Sequence, residues 1–175
     1  MGKSQSNLNF TLLSLTFKFR DFFSPRKNVL KEVGITTGFQ VLDYGCGPGG
    51  YIVSLTKLVG KSGKIYALDT SQRAIKSVKN MAIKKHLSNI ETIHSDCKTG
   101  LADNSVNVIL LYDTFHALKH PNNVLKELHR ILKVHGILSV TDHHLNESEL
   151  VTSLTDSGLF RLSTKGTRTL SFLKT

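Results

Sequence analysis

Residues 41–51, Val-Leu-Asp-Tyr-Gly-Cys-Gly-Pro-Gly-Gly-Tyr, restrict the possible folds of this chain more than any other stretch. They predict a buried strand with a carboxylate, Asp43, near its end, then a glycine loop, then a helix beginning near Tyr51. A turn of this kind lets main-chain N–H groups and a helix N-terminus come close to a ligand. The stretch therefore predicts a binding loop at the end of the first strand.

The glycines of this loop fit two patterns. Gly45, Gly47 and Gly50 satisfy the dinucleotide pattern G-x-G-x-x-G. Asp43, Gly45, Gly47 and Gly49 also satisfy D-x-G-x-G-x-G. The glycines alone do not choose between the two, but an acid beside the loop would repel a pyrophosphate and attract a cationic ligand group.

Apolar strands alternate with amphipathic helices along the rest of the chain. Strands are predicted over 40–44, 64–69, 90–94 and 106–112, and a fifth between Gly136 and Thr141. This alternation predicts an α/β fold with a doubly wound, mostly parallel, Rossmann-like sheet covered on both faces. Two further strands flank Lys165-Gly166, a hairpin signal that predicts one antiparallel strand at the sheet edge.

Length and composition fit one domain, with residues 1–24 as an N-terminal arm and residues 25–175 as the folded unit. The arm is too short and too charged for a membrane-spanning helix. Two cysteines form no disulfide or metal framework, so we expect a reducing cytoplasm and no metal. The net charge of +10 leaves two interpretations open, an anionic partner such as nucleic acid or a membrane surface, or a solubilising coat of lysines.

In such a sheet the ligand lies beyond the carboxyl ends of the strands. Asp69 follows the second strand and is placed to accept hydrogen bonds from both hydroxyls of a ribose. An acid at this position would serve a nicotinamide cofactor and other nucleoside ligands equally well, so Asp69 does not choose between cofactors. An asparagine at this position keeps one acceptor oxygen, so the sequence predicts that Asp69→Asn is milder than Asp69→Ala.

The D-x-G-x-G-x-G pattern resembles the first motif of the class I S-adenosylmethionine (SAM) methyltransferases, whose cofactor carries an ammonium group. Residues 125–138 are similar to that family's helix, turn and fifth strand, although Val134-His135-Gly136 replaces the usual Pro-Gly-Gly. The resemblance covers about residues 26–145 and is nearest to the small methyltransferases of ubiquinone and menaquinone biosynthesis.

The resemblance implies SAM as cofactor, S-adenosylhomocysteine as product, and a set of binding residues. It places Asp96 on the adenine amino group, Cys97 at the ring through its backbone N–H, and Asp113 at the sulfonium or ammonium end. His116 is the candidate general base, since an imidazole titrates near neutral pH. The full set of expected cofactor-binding residues is Asp43, Gly45, Cys46, Gly47, Gly49, Asp69, Thr70, Asp96, Cys97, Tyr112 and Asp113.

The sequence thus predicts a SAM-dependent methyltransferase acting on a small molecule, with the acceptor unspecified. Three alternatives remain: an RNA methyltransferase, suggested by the charge; a non-catalytic SAM-binding partner subunit, suggested by the short chain; and a nicotinamide-dependent oxidoreductase. The last would need a proton relay such as a Tyr with a nearby Lys at helical spacing, and the sequence offers none.

Overall fold

The structure of the protein is a computed structural model, and it describes residues 26–175. The predicted arm, residues 1–24, and the predicted domain boundary after it lie outside these residues. None of the described helices is long and apolar enough to cross a membrane.

Helices and strands alternate through the described residues. The helices are α1 (Arg26–Lys31), α2 (Ile52–Val59), α3 (Gln72–Lys84), α4 (Pro121–Ile131) and α5 (Glu147–Thr155), with a single 3-10 turn at Phe115–Ala117. The strands are β1 (Gln40–Tyr44), β2 (Lys64–Asp69), β3 (Ile90–His94), β4 (Val106–Tyr112), β5 (Leu132–Thr141), β6 (Phe160–Lys165) and β7 (Leu170–Lys174). The first four strands have the bounds that the sequence predicted.

The strands form one seven-stranded sheet in the order β3-β2-β1-β4-β5-β7-β6. The first five strands pair in parallel. Their order reverses between β1 and β4, so a crevice opens there at the carboxyl ends of the strands. The predicted α/β, doubly wound, mostly parallel architecture is confirmed.

The antiparallel strand lies inside the sheet and not at its edge. β7 pairs antiparallel with both β5 and β6, so β6 forms the edge and runs parallel to β5. Burial explains the difference: Leu170 and Phe172 of β7 are buried, whereas the residues of β6 after Phe160 are exposed. The more apolar strand takes the position covered on both sides.

The start of β5 also differs from the prediction. α4 ends at Ile131 and the chain is already extended at Leu132, because Val134 stands where a proline would have made a turn. The register against β4 shifts, with Val106 opposite Leu132 but Val108 opposite Ile137. The predicted turn is therefore a long bulge within the strand.

Apolar side chains cover both faces of the sheet. One face packs against α1, α2 and α3 through Leu30, Ile52, Leu55 and Val78. The other packs against α4 and α5 through a second set of side chains, among them Val124, Leu125, Leu128, Leu150 and Leu154. The helices hold the strand ends in fixed positions, and those ends carry the candidate ligand-binding residues.

Glu32, just after α1, links the beginning of the described chain to the β6–β7 turn. Its Oε2 accepts hydrogen bonds from the backbone N–H of Arg168 and of Thr169, both at 3.2 Å, and from the Thr169 hydroxyl at 2.9 Å. A single carboxylate therefore satisfies two backbone donors of the hairpin turn.

Candidate functional site

The glycine loop is built by close backbone approach. The N–H groups of Gly45 and Cys46 donate to the Leu68 carbonyl at 2.8 and 2.9 Å, which fastens the loop to β2. Gly45 and Gly49 have φ of 79° and 92°, in the left-handed region that favours glycine. A Cβ on Gly49 would lie 3.1 Å from both Val78 and Met81, so this glycine lets the loop pack closely against α3.

Gly47 faces open space and is held by Asp69. A Cβ on Gly47 would meet no atom within 4 Å. The Asp69 carboxylate accepts the Gly47 N–H at 2.8 Å with Oδ2 and the Ser71 N–H at 2.7 Å with Oδ1. Because each carboxylate oxygen has two lone pairs, both oxygens can still accept a further hydrogen bond.

Two adjoining clefts lie at the carboxyl ends of the strands. The inner one, about 230 Å³, is bordered by Gly45, Asp69, Thr70, Asp96 and Asp113 among others. The outer one, about 480 Å³, runs between the end of β3 and the start of α4. They share four lining residues, Thr70, Asp96, Ala117 and Leu118, so they form one continuous groove.

The loop after β3 is tied to β1 through Tyr44. The Tyr44 hydroxyl donates to the Asp96 carbonyl at 2.7 Å, and burial, with Cys97 and Asp96, raises the pKa of Tyr44 above its usual value. Asp96 itself is exposed and borders both clefts. The Cys97 N–H, expected to face an adenine ring, donates to Ser95 Oγ at 3.2 Å.

Asp43 and Cys46 lie beneath the loop. Asp43 is 2% exposed and Cys46 is 6% exposed. Burial, followed by the carboxylates of Asp43 and Asp69, raises the pKa of the Cys46 thiol, so it stays protonated. Burial and Glu127 likewise raise the pKa of Cys97. Neither cysteine is placed as a nucleophile.

At the end of β4, Tyr112 is buried in the core and Asp113 faces the groove. The Tyr112 ring is buried against Tyr51, its hydroxyl is 2.9 Å from Ser139 Oγ, and it borders neither cleft. Asp113 has a φ of 49° and borders the inner cleft. Of this pair, the structure brings Asp113 to the groove and not the Tyr112 side chain.

Two acid–histidine pairs cross between the ends of β4 and β5. Asp113, after β4, accepts hydrogen bonds from the backbone N–H of His143 and from its ring Nδ1. Asp142, after β5, does the same for His116, with the backbone N–H at 3.1 Å and Nδ1 at 2.9 Å. The acid after β4 thus pairs with the histidine after β5, and the acid after β5 pairs with the histidine after β4.

These contacts determine the tautomer of both rings. The Asp142 side chain is 0% exposed. Burial opposes its ionisation, but hydrogen bonds from the His116 ring and from the backbone N–H groups of His144 and His116 outweigh burial and lower its pKa. A carboxylate only accepts, so Nδ1 carries a proton in each pair, and in the neutral form of the ring Nε2 then has the lone pair.

Sequence reasoning missed Asp142. None of the expected catalytic and cofactor-binding residues follows the fifth strand. The signal was available, because Asp142 follows β5 as Asp69 and Asp96 follow β2 and β3. Thr114 was also missed: its side chain occupies the space where a Cβ on Gly45 would lie.

Residues 26–175 contain no group of three or more His, Cys, Asp or Glu side chains arranged to hold a metal ion. The histidines at the β4 and β5 ends are instead engaged with carboxylates and with each other, the His116 and His144 rings being 4.0 Å apart. Proton chemistry and hydrogen bonding are what this arrangement offers.

Comparisons with known proteins agree with this geometry. A family model described as a methyltransferase domain matches residues 35–166. The chain is 31% identical to a SAM-dependent methyltransferase from Aquifex aeolicus of known crystal structure, with a TM-score of 0.77 over 86% of this chain and 88% of that one.

Curated relatives include two enzymes named demethylmenaquinone methyltransferase. The one from Geobacillus stearothermophilus is 28% identical over 74% of this chain and 56% of its own length. The one from Staphylococcus saprophyticus is 30% identical over 72% of this chain and 54% of its own length. The chain therefore spans about half the length of the curated relatives that it matches.

Proposed function

We propose that this chain, which belongs to the class I SAM-dependent methyltransferase family, transfers the methyl group of SAM to a small organic acceptor. The family expected from the sequence is the one that the comparisons find. The observation that carries the proposal is the groove itself: a glycine loop open at Gly47, held by the Asp69 carboxylate, at the reversal of strand order.

The residues of the groove fit SAM. Asp69 keeps lone pairs for two ribose hydroxyls, and the continuous clefts give room for a nucleoside that extends past Thr70 towards Asp96 and Cys97. Asp43 and Asp113 supply negative charge towards the cationic end, with the backbone of the glycine loop around it. SAM, when bound, supplies an electrophilic methyl group. The chain's own contribution is orientation and exclusion of water.

A small acceptor is supported by a third cleft of about 250 Å³ next to the acid–histidine pairs, bordered by the end of β5, the start of α5 and the β6–β7 turn. A cavity of this size holds a compact acceptor, or the reacting part of a larger one. The names of the two curated relatives make demethylmenaquinone the first compound to test. RNA methylation and a non-catalytic partner role are the alternative outcomes of that test.

An imidazole at this edge is proposed as general base. His116, the candidate from the sequence, is held by Asp142 in the tautomer that can accept a proton at Nε2. His143 is held in the same way by Asp113. Both are therefore candidates for one role.

Calorimetry with SAM, S-adenosylhomocysteine and NAD tests the cofactor. We expect binding of the first two and none of NAD; binding of NAD alone would overturn the assignment. Transfer of labelled methyl from SAM to demethylmenaquinone, to phenolic and thiol compounds and to RNA then tests the reaction. SAM binding without transfer to any acceptor would favour a partner subunit.

The calorimetry is repeated on the Asp69→Ala variant, and Asp156→Ala, at an exposed helix end, is its control. The cytoplasmic location expected from composition stays a prediction.

A further inference from the structure

The third cleft and the cofactor groove are separated by one acid–histidine pair. Asp113 borders the inner cleft together with Gly45 and Asp69. His143, which binds Asp113 through both its ring Nδ1 and its backbone N–H, borders the third cleft. For methyl transfer, the acceptor atom must therefore project from the third cleft past this pair to the cofactor side.

His116 occupies a different place. It borders none of the three clefts described above, and its ring is covered by His144 at 4.0 Å and by the buried Asp142. Its side chain is 28% exposed, whereas that of His143 is 68% exposed. Of the two rings, that of His143 borders the third cleft and is the more accessible.

We propose that His143 is the catalytic base: its Nε2 takes the proton of an acceptor bound in the third cleft, and Asp113 is the positioning residue that keeps the opposite nitrogen protonated. This assignment of the base rests on the proposed methyltransferase function and narrows the class of acceptor. The acceptor belongs to the class whose nucleophile starts out protonated, such as a phenol or an acidic C–H compound, and not to thiolates, which need no base.

The step balances as follows. The acceptor atom forms a bond to the methyl carbon while the bond from that carbon to sulfur breaks, and its electron pair stays on sulfur. The acceptor proton moves to His143 Nε2, giving an imidazolium that the Asp113 carboxylate stabilises. The proton then leaves to solvent from the exposed ring, which restores the neutral base.

Several charged groups face His143. Asp113 contacts it from the end of β4, and Asp142 precedes it directly after the end of β5. Glu147 from α5 and Lys165 from β6 border the same cleft and form an ion pair of 2.7 Å, and Arg168 borders it from the β6–β7 turn. Of these groups, Asp113 is the one that contacts the His143 ring, and its negative charge stabilises an imidazolium formed during the reaction.

Kinetics of the His143→Asn variant test the role. The Asn amide can still donate to Asp113 but cannot accept a proton. With the acceptor that the wild-type chain methylates fastest, we expect turnover to fall about 10²–10³-fold while affinity for S-adenosylhomocysteine changes less than threefold. The limb of the pH profile in the imidazole range should disappear, and added imidazole should restore part of the rate in His143→Ala. His135→Ala, which replaces an exposed histidine near the beginning of β5, is the matched control.

A second measurement needs no acceptor. Nitrogen-15 NMR of the imidazoles at pH 8 should show His143 as the Nδ1-protonated tautomer in the wild-type chain and as a mixture in Asp113→Asn. The Nε2-protonated tautomer in the wild-type chain would overturn the proposal. So would a large loss of turnover in His116→Ala with none in His143→Asn, which would assign the role to His116. Failure of the wild-type chain to bind SAM would instead refute the proposed function.

Discussion

Asp69 holds the Gly47 amide at 2.8 Å, so the carboxylate predicted to bind the ribose also fixes the loop that the ligand approaches. Its other oxygen accepts the Ser71 N–H at the start of α3. One side chain therefore joins β1, β2 and α3 around the cofactor groove. This double role changes what its substitutions should do.

Asp69→Ala should weaken binding of S-adenosylhomocysteine about tenfold to a few hundredfold. Hydrogen bonds to a charged group contribute roughly 1.5–3 kcal/mol each, and one or two are lost. Asp69→Asn should be nearly as severe, contrary to the prediction from the sequence alone. An amide N–H would replace an oxygen that accepts from Gly47 or Ser71, and two donors would then face each other.

Calorimetry on both variants measures these affinities, with circular dichroism to confirm folding. An affinity for Asp69→Asn close to that of the wild-type chain would mean that the loop does not depend on both carboxylate oxygens. Unchanged affinity in a folded Asp69→Ala protein would refute the ribose contact itself.

Alanine at two loop glycines should separate folding from binding. A Cβ on Gly45 would lie 2.7 Å from Thr114 Cγ2, so Gly45→Ala should lower the unfolding midpoint sharply. Gly47→Ala meets no atom within 4 Å and carries only the backbone strain of a φ of 52°, about 1–2 kcal/mol. It should fold and yet lose cofactor affinity, because its methyl group occupies the open side of the loop. Thermal unfolding and calorimetry on the two variants check this contrast.

Glu127 should make stability depend on acidity. Its carboxylate accepts hydrogen bonds from the Arg130 side chain and from the N–H and hydroxyl of Thr99. The hydrogen bond from Arg130 has the largest effect on the pKa of Glu127. Burial acts in the opposite direction, but together the contacts lower this pKa from 4.5 to about 2. Between these values the unfolded chain binds more protons than the folded one. The stabilisation, about 1–3 kcal/mol, is therefore present above pH 4.5 and is lost as the pH falls towards 2.

Urea unfolding between pH 2 and 6 checks this. Glu127→Gln should flatten the slope of stability against pH, whereas Glu91→Gln, which removes only an exposed ion pair with Lys64, should leave it nearly unchanged. Equal slopes in the wild-type chain and in Glu127→Gln would show that this carboxylate does not contribute.

Glu32→Gln should destabilise the protein by about 1–3 kcal/mol. The amide can replace only part of the set of three hydrogen bonds that Glu32 makes to Arg168 and Thr169. Glu147→Gln is the matched control, since its pair with Lys165 is exposed on both sides and should contribute less than about 1 kcal/mol. Denaturant midpoints of the two variants decide the comparison, and equal midpoints would contradict it.

The parts of the fold that depend on local pattern could be predicted from the sequence. The bounds of the first four strands follow from apolar runs that end at Tyr44, Asp69, His94 and Tyr112. The place of β7 could not be predicted, because hairpin signals specify that two strands pair but not which of them meets the rest of the sheet. That choice depends on the burial of Leu170 and Phe172 against distant residues.

Some features of the candidate site could likewise be predicted from the sequence, and others could not. Placing Asp69, Asp96 and Asp113 at the groove needs only the rule that ligands bind at the carboxyl ends of strands. The partners of His116 and His143 could not be read from the chain, because each pair joins residues 26 or 30 positions apart on neighbouring strands. The ring of Tyr112 lies in the core, which strand alternation explains, and its expected place at the cofactor stays a prediction.

The position of β7 has a consequence for how the chain is made. β6 is synthesised before β7 but, among the strands of residues 26–175, it pairs only with β7, so it has none of these strands to join until Leu170–Lys174 has been translated. Until then the edge of β5 over Ile137–Val140 also lacks its partner and offers an apolar edge to other chains. A premature stop before Leu170 would therefore remove one strand, detach a second, and leave a nascent protein prone to aggregation at that edge.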